Sequence, residues 1–207
     1  MNFEIGTVIA PHCDDEALGC MKMFEEGLVG RVVVVTDSAK QVIDPYIDTA
    51  EYIKIRRAET MGFCEHFKVR DVIFMNYPDG SLNQISPENL DEFYETMLTI
   101  TKTSKAVYFP SIKDSHPDHR FVAGIMYRLL ADRHNLKIKY GSQMHLKQAV
   151  EYHITSSPVY HNPITRAKHG DRLRLFREFF PSQSLRLRKT GFDFEVCLQD
   201  KLNVIVG

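Results

Sequence analysis

The N-terminal segment of the chain reads Ile5-Gly6-Thr7-Val8-Ile9-Ala10-Pro11-His12-Cys13-Asp14-Asp15-Glu16. Its first half, Ile5 to Ala10, is a short apolar run of the kind that forms a buried strand. Apolar residues then recur at helical spacing, at Ala17, Cys20, Met21, Phe24 and Leu28. The polar residues between the two patterns therefore lie on a turn from a strand into a helix. In an open α/β sheet such turns lie at the carboxyl ends of the strands, where ligands bind.

This turn combines one imidazole with two adjacent carboxylates, those of His12, Asp14 and Asp15. Carboxylates at contact distance raise each other's pKa, so the group is costly unless a positive charge holds it. A divalent metal ion meets that need, because one His nitrogen and one carboxylate oxygen supply two ligands of a zinc-like site. The turn therefore predicts part of a metal centre, whose third ligand comes from elsewhere in the chain.

A second turn of the same kind is Ser115-His116-Pro117-Asp118-His119. It follows the apolar run Ala106 to Phe109 and precedes apolar residues at helical spacing, namely Phe121, Val122, Ile125, Met126, Leu129 and Leu130. Pro117 suits the first position of a helix, which places His116 near the helix cap and His119 within the first turn. On this pattern either imidazole could supply the third ligand.

Strand and helix patterns alternate along the rest of the chain. Further strands are predicted at Arg31 to Thr36, Asp71 to Met75, Ala149 to Thr155 and Phe192 to Leu198. Further helices are predicted at Asp48 to His66, from Ser86-Pro87 onward, and at Thr165 to Phe180. This alternation predicts an α/β fold, a three-layer Rossmann-like, mostly parallel sheet with helices on both faces. No GxGxxG sequence follows the first strand, so dinucleotide binding is not expected.

Composition narrows the classes of partner and compartment. The 207 residues include 26 basic and 27 acidic side chains, for a net charge of -1. This length suits a single domain, residues 1–207, and the charge favours neither nucleic acid nor an anionic membrane as a partner. The four cysteines form no CxxC pair, which predicts free thiols in a reducing compartment. No run of residues is apolar enough for a transmembrane helix, so we expect a soluble, cytoplasmic protein without an integral membrane segment.

The two turns together resemble the motifs of the PIG-L/LmbE family of zinc-dependent N-deacetylases. The resemblance covers nearly the whole chain and continues through three further stretches: Arg56-Arg57-Ala58-Glu59, Tyr77-Pro78-Asp79-Gly80, and Lys168 followed by Pro181-Ser182-Gln183. The family usually reads Pro-His-Pro-Asp-Asp-Glu, so Cys13 replaces a proline. A neighbour of His12 in a tight turn usually points away from a shared ligand, and we interpret Cys13 as a small packed side chain.

The resemblance implies roles for seven residues. His12, Asp15 and His119 would hold a Zn²⁺ ion, or another divalent metal, with one position open for water. Asp14 would be the general base, and His116 would stabilise the oxyanion as a protonated imidazole or as an N–H donor. Arg56 and Asp79 would bind the substrate, although Arg56 with Glu59 also fits an i, i+3 helix pair and Asp79 also fits a plain turn.

The implied function is a metal-dependent hydrolase that removes the acetyl group from an N-acetylated amino sugar, such as N-acetylglucosamine, or from a conjugate of one. Its partner would be that small molecule. The sequence is also compatible with two alternatives: an amidase that acts on a different acyl-amine, and a non-catalytic sugar- or nucleotide-binding α/β module that retains a metal pocket. The complete set of hydrolytic residues favours an enzyme.

Overall fold

A sheet of six strands forms the centre of the fold in the described part of the chain. The computed structural model describes residues 6–40, 46–132, 146, 148–152, 166–184 and 202–206. In chain order the strands are β1 (Gly6–Ala10), β2 (Val29–Thr36), β3 (Asp71–Tyr77), β4 (Ala106–Pro110), β5 (Gln148–Tyr152) and β6 (Leu202–Val206). Their spatial order is β3-β2-β1-β4-β5-β6. The first five strands are parallel, and β6 pairs antiparallel with β5.

The helices connect these strands. They are α1 (Asp15–Glu25), α2 (Thr49–His66), α3 (Pro87–Thr103), α4 (Pro117–Ala131) and α5 (Arg166–Phe179), with a 3₁₀ turn at Leu82–Gln84. Capping residues explain where several of them begin. Asp48 accepts a hydrogen bond from the Glu51 N–H at the start of α2. Ser86 does the same for Asn89, directly before Pro87 in α3. Each cap satisfies a backbone donor that the first turn of a helix leaves unpaired.

Buried apolar residues lie on both faces of the sheet and form two clusters. Alternate residues of a strand face opposite sides, so Val8 of β1 belongs to one cluster and its neighbour Ile9 to the other. The first cluster contains residues of α1, α2 and α5, and the second contains residues of α3 and α4. The fold is therefore the three-layer α/β arrangement that the alternating patterns predicted.

The order of the strands determines where a ligand can bind. From β1 the chain moves outward to β2 and β3, and then returns to place β4 on the other side of β1. The two connections that leave β1 and β4 diverge at this point, and a crevice forms beyond the carboxyl ends of these strands. The two polar turns of the sequence, residues 11–16 and 111–119, begin at these strand ends.

Most predicted elements agree with the structure to within a few residues. The predicted strand Phe192 to Leu198 and the end of the predicted strand Ala149 to Thr155 lie outside the described residues. The edge strand β6 was not predicted. Cys13, Cys20 and Cys64 are free thiols, as expected, and Cys197 lies outside the described residues. In the described ranges, no helix combines the length and the apolar character that a membrane span requires.

Candidate metal and catalytic site

The turn after β1 is held by the neighbouring strand β2. The carbonyl oxygen of Pro11 accepts hydrogen bonds from the backbone N–H of Thr36, at 2.9 Å, and from its hydroxyl, at 2.8 Å. The Cys13 N–H donates to the hydroxyl of Ser38 at 2.8 Å. The Cys13 side chain is buried in the apolar cluster on one face of the sheet, where it packs as expected. These contacts fix the backbone from which His12 projects.

Three ligand atoms from the two turns lie close together at the carboxyl edge of the sheet. His12 Nδ1 is 3.1 Å from Asp15 Oδ2, His119 Nε2 is 3.1 Å from the same oxygen, and the two nitrogens are 3.3 Å apart. A tetrahedral zinc ion with bonds of about 2.0 to 2.1 Å requires ligand atoms about 3.3 Å apart. The triangle and its donor types therefore fit a divalent ion of this kind. The structure brings together the three residues predicted as metal ligands.

Carboxylates on the far side of each imidazole determine which nitrogen faces the triangle. His12 Nε2 lies 3.1 Å from Asp79 Oδ1 and 3.2 Å from Asp118 Oδ2. His119 Nδ1 lies 3.0 Å from Asp114 Oδ2. A carboxylate attracts the protonated nitrogen, so the lone pair of the other nitrogen is directed into the triangle. Such outer carboxylates are typical of metal-binding histidines.

The charges of the site shift the pKa of each member of this group. Burial disfavours the charged form of His12, but Asp118, Asp15 and Asp79 outweigh it and raise its pKa well above the ordinary value. In the same way Asp15 and Asp114 overcome burial and raise the pKa of His119 to about 9. Burial would raise the pKa of Asp15, but the two imidazoles hold it well below the ordinary value. The group as a whole attracts positive charge.

His116 lies beside the triangle at the first turn of α4. Its ring centroid is 4.6 Å from that of His12 and 5.0 Å from that of His119. It is the N-cap of α4, and its Nδ1 accepts a hydrogen bond from the Asp118 N–H at 3.3 Å. Burial and the positive charges of His12 and His119 lower its pKa below the ordinary value. The lowered pKa favours the neutral ring at neutral pH, and a neutral ring carries its proton on Nε2, because Nδ1 accepts the Asp118 N–H.

His116 also belongs to two wider sets of possible metal ligands. One set is His12, His116 and His119, and the other is His12, Asp79, His116 and Asp118. In each set the ligand atoms lie within 4.8 Å of one another. The triangle of His12, Asp15 and His119 is tighter, with its longest side 3.3 Å. The triangle is therefore the best candidate for the metal site.

The carboxylate of Asp14 contacts helix α2. Its Oδ2 lies 3.2 Å from Nη2 of Arg56, a residue of α2. Its backbone has a positive φ of 119°, and its N–H donates to Oε2 of Glu16 at 2.9 Å. Glu16 is fully buried, and burial raises its pKa to about 7 although the Asp14 N–H and the Thr60 hydroxyl oppose the shift. The carboxylate predicted to be the general base is therefore fixed at both its backbone and its side chain.

The structure places the two predicted substrate-binding residues beside other site residues. Arg56 is 1% exposed and contacts Asp14 and Glu59. Asp79 lies against His12, and its Oδ2 accepts the Lys40 N–H at 3.1 Å. Their substrate contacts stay predictions. The side chain of Lys168 lies outside the described residues.

Sequence reasoning missed the outer carboxylates Asp114 and Asp118. Asp118 stands inside the His-Pro-Asp-His motif, and Asp114 stands two residues before it, so their closeness to the predicted ligands could have indicated a role in the site. Asp118 also accepts the backbone N–H groups of Gly80 and Leu82, at 2.6 and 3.2 Å. It therefore links the turn after β3 to the start of α4. Which nitrogen each carboxylate faces depends on strand order and could not be inferred from spacing.

Several solved structures are similar to the chain in fold. An N,N'-diacetylchitobiose deacetylase from Pyrococcus horikoshii, with a bound inhibitor, is 19% identical with a TM-score of 0.69 over 98% of this chain and 84% of that chain. The 4-carboxy-2-hydroxymuconate hydratase GalB from Pseudomonas putida is 13% identical, with a TM-score of 0.65 over 99% and 97%. A zinc-inhibited form of the teicoplanin deacetylase Orf2 is 14% identical, with a TM-score of 0.60 over 91% and 88%.

Sequence comparisons identify the family. No curated protein is significantly similar to the chain in sequence. The family model described as PIG-L, GlcNAc-PI de-N-acetylase, matches residues 7–130, a range that includes both polar turns. Because these residues make up more than half of the chain, the chain belongs to the PIG-L family.

Proposed function

We propose that the protein is a metal-dependent N-deacetylase that removes the acetyl group from an N-acetylated amino sugar or a conjugate of one. The observation that carries the proposal is the triangle of His12 Nδ1, Asp15 Oδ2 and His119 Nε2, with sides of 3.1 to 3.3 Å. Membership of the PIG-L family supports the same reaction class.

The metal would be held by His12, Asp15 and His119. Their two nitrogens and one carboxylate oxygen suit Zn²⁺, which we propose as the native ion, and they leave a coordination position for a fourth ligand. A bound divalent ion would act as a Lewis acid on the acetyl carbonyl and would make water more acidic. Asp118 and Asp79 would hold His12 in the required tautomer, and Asp114 would do so for His119.

Asp14 would carry the transferred proton, and His116 would stabilise the negative charge that develops on the acetyl oxygen. Asp14 would take a proton from the attacking water as the water oxygen bonds to the acetyl carbon. The Nε2–H of His116 would donate a hydrogen bond to the acetyl oxygen as that oxygen gains negative charge. When the C–N bond breaks, Asp14 would return the proton to the amine. The products are acetate and a free amino sugar.

A second candidate function comes from the comparisons. GalB is a hydratase, and its fold matches this chain over almost the full length of both proteins. Hydration of a carbon–carbon double bond also requires an activated water and a proton donor, so the fold does not distinguish the two reactions. The family match favours the deacetylase.

The test is to measure acetate release from a panel of N-acetylglucosamine derivatives. The panel contains free, phosphorylated, nucleotide-linked and lipid-linked sugars, each incubated with zinc-loaded wild type and with Asp14→Asn. We expect the wild type to release acetate and free amine in equal amounts from at least one member. A parallel arm follows the loss of ultraviolet absorbance of an unsaturated dicarboxylate. Hydration without acetate release would replace the deacetylase with the hydratase, and sugar binding without turnover would indicate a non-catalytic module.

A further inference from the structure

Arg56 is a fully buried cation located between two carboxylates. Its Nη2 lies 3.2 Å from Asp14 Oδ2, and its Nη1 lies 2.7 Å from Glu59 Oε2. Burial disfavours the charge on Arg56, but the negative charges of Asp14 and Glu59 outweigh this and raise its pKa above the ordinary value. The guanidinium is charged and 1% exposed. It is directed at the carboxylate of Asp14 and is shielded from solvent.

The side of Arg56 that faces away from Asp14 is anchored to the rest of the fold. Glu59, one turn further along α2, accepts two hydrogen bonds from Ser182, from the N–H at 2.8 Å and from the hydroxyl at 2.8 Å. Ser182 Oγ also lies 3.3 Å from Arg56 Nη1. A bidentate or doubly anchored guanidinium has a fixed direction, because its donors form a planar, rigid fork. The orientation of Nη2 toward Asp14 is therefore determined by Glu59 and Ser182.

Asp14 is also held through its backbone. Its φ of 119° lies in a region that residues with a side chain rarely adopt. Glu16 stabilises this conformation by accepting the Asp14 N–H at 2.9 Å, and the Thr60 hydroxyl in turn donates to Glu16 at 2.8 Å. Thr60 and Arg56 both belong to α2. One helix thus fixes both ends of the same aspartate.

We propose that Arg56 is a positioning residue, which holds the carboxylate of Asp14 in the direction needed for proton transfer and does not contact the substrate. This inference rests on the deacetylase function proposed above, and it differs from the substrate-binding role that the resemblance implied. A positioning residue affects the chemical step, whereas a substrate contact affects binding. The two roles therefore predict different kinetic constants.

The test compares Arg56→Met and Arg56→Lys with wild type, all loaded with zinc, on the acetylated sugar that the wild type hydrolyses fastest. Misdirecting a catalytic group by about 1 Å can cost about a hundredfold in rate, so we expect Arg56→Met to lower kcat by about tenfold to a hundredfold. We expect KM and zinc content to stay close to the wild-type values. Arg56→Lys keeps the charge without the fork, and it should recover part of kcat.

Arg172→Met is the matched control. Arg172 of α5 is also fully buried and also paired with a carboxylate, at 2.7 and 2.8 Å from Glu25, at the opposite end of α1 from Asp14. We expect Arg172→Met to lower the melting temperature while kcat stays at the wild-type value. A higher KM with unchanged kcat in both Arg56 variants would overturn the proposal and restore a substrate contact. If Arg56→Met does not fold, the kcat and KM of Arg56→Lys, compared with those of wild type, decide between the two roles.

A second measurement does not depend on turnover. In a double-mutant cycle on melting temperature, Arg56→Met and Asp14→Asn should be non-additive, because each removes the same contact. Additive losses would overturn the proposal even if the enzyme is active. A wild type that releases no acetate from any sugar refutes the proposed function, and the cycle then still decides whether Arg56 holds Asp14.

Discussion

His12 and His119 each present one nitrogen to the metal triangle and the other to a carboxylate. For His119 the outer partner is Asp114, with Nδ1 and Oδ2 3.0 Å apart. Asp15 and the outer carboxylates together raise the pKa values of the two imidazoles against the effect of burial, because they stabilise the protonated rings. A metal ion binds only the neutral nitrogen, so it must displace those protons. Binding of a metal ion at the triangle would therefore depend on pH through these two residues.

The first prediction concerns this linkage. Because the pKa of His119 is raised to about 9, its Nε2 is protonated below that pH and competes with the metal. The apparent zinc affinity should rise with pH by about tenfold per unit for each displaced proton, up to about pH 9. Calorimetry in buffers of different ionisation enthalpy should detect the released protons. In Asp114→Asn the rise should end at a lower pH, and the affinity should fall by about tenfold to a hundredfold. An affinity independent of pH in this range would contradict the assignment.

The second prediction separates the base from the ligands. Asp14 contacts Arg56 and is not one of the three predicted ligands, and Asn is nearly isosteric with Asp, so Asp14→Asn should retain the metal. Its turnover should fall by about a hundredfold or more, because the amide cannot accept the proton from water. Zinc content measured by atomic absorption, together with acetate release, tests both statements. If Asp14→Asn loses the metal while Asp15→Asn retains it, the two roles are exchanged.

At the scale of elements, the start of α4 brings several functions together. His116 caps the helix through Nδ1, and His119 completes the triangle. Asp118 accepts hydrogen bonds from the Gly80 and Leu82 N–H groups. The helix N-terminus also carries a partial positive charge, which favours a developing oxyanion nearby. Capping uses Nδ1 of His116, and the proposed catalytic role would use Nε2 of the same imidazole.

The third prediction uses this division of roles. His116→Ala removes the cap and the Nε2–H donor, so it should cost about 1 kcal/mol of stability. It should also lower kcat by about two to three orders of magnitude. Asn is itself a good N-cap, so His116→Asn should retain the melting temperature yet still lose kcat, which calorimetry and acetate release can compare. Because the pKa of His116 is lowered, the neutral ring would be the donor. Loss of His116 should therefore leave the alkaline side of the pH profile unchanged, and a kcat equal to that of wild type would exclude this residue from the mechanism.

At the scale of the whole molecule, the metal triangle connects two distant parts of the chain. His12 and Asp15 follow β1, whereas His119 follows β4, and these strands are adjacent in the sheet. The triangle exists only in the folded chain, so an ion that binds it must stabilise the fold. Metal binding at the triangle would therefore raise the stability of the whole fold.

The fourth prediction follows from that link. Zinc at about a hundredfold excess over its Kd should stabilise the fold by about 2.7 kcal/mol, which corresponds to a melting temperature higher by roughly 5 to 10 °C. His119→Ala should bind the ion far more weakly and lose this increase, as thermal denaturation with and without zinc can measure. His66→Ala is the matched control, because His66 ends α2 at the opposite edge of the sheet. If zinc raised the melting temperature of His119→Ala as much as that of wild type, the three-ligand site would be contradicted.

The sequence was sufficient for the fold class and for the location of the site, because both depend on local patterns. Apolar runs predicted β1, β2, β3 and β4, and Pro117 predicted the start of α4. Polar turns after parallel strands meet at one edge of a sheet, so His12, Asp15 and His119 could be expected to lie together. The edge strand β6 was missed, because a short antiparallel strand depends on its neighbour for stability more than on its own pattern.

Only the tertiary structure decided what each polar side chain faces. Asp118 stands 106 positions from His12, and their contact requires β4 to lie beside β1. Arg56 and Glu59 matched a surface helix pair in sequence, yet the side of α2 that carries them packs against Asp14 and Ser182 and is buried. Spacing along a helix specifies which residues share a face, but not which face is covered. Burial and charge partners depend on contacts between segments that are distant in the chain, and these contacts exist only once the sheet has formed.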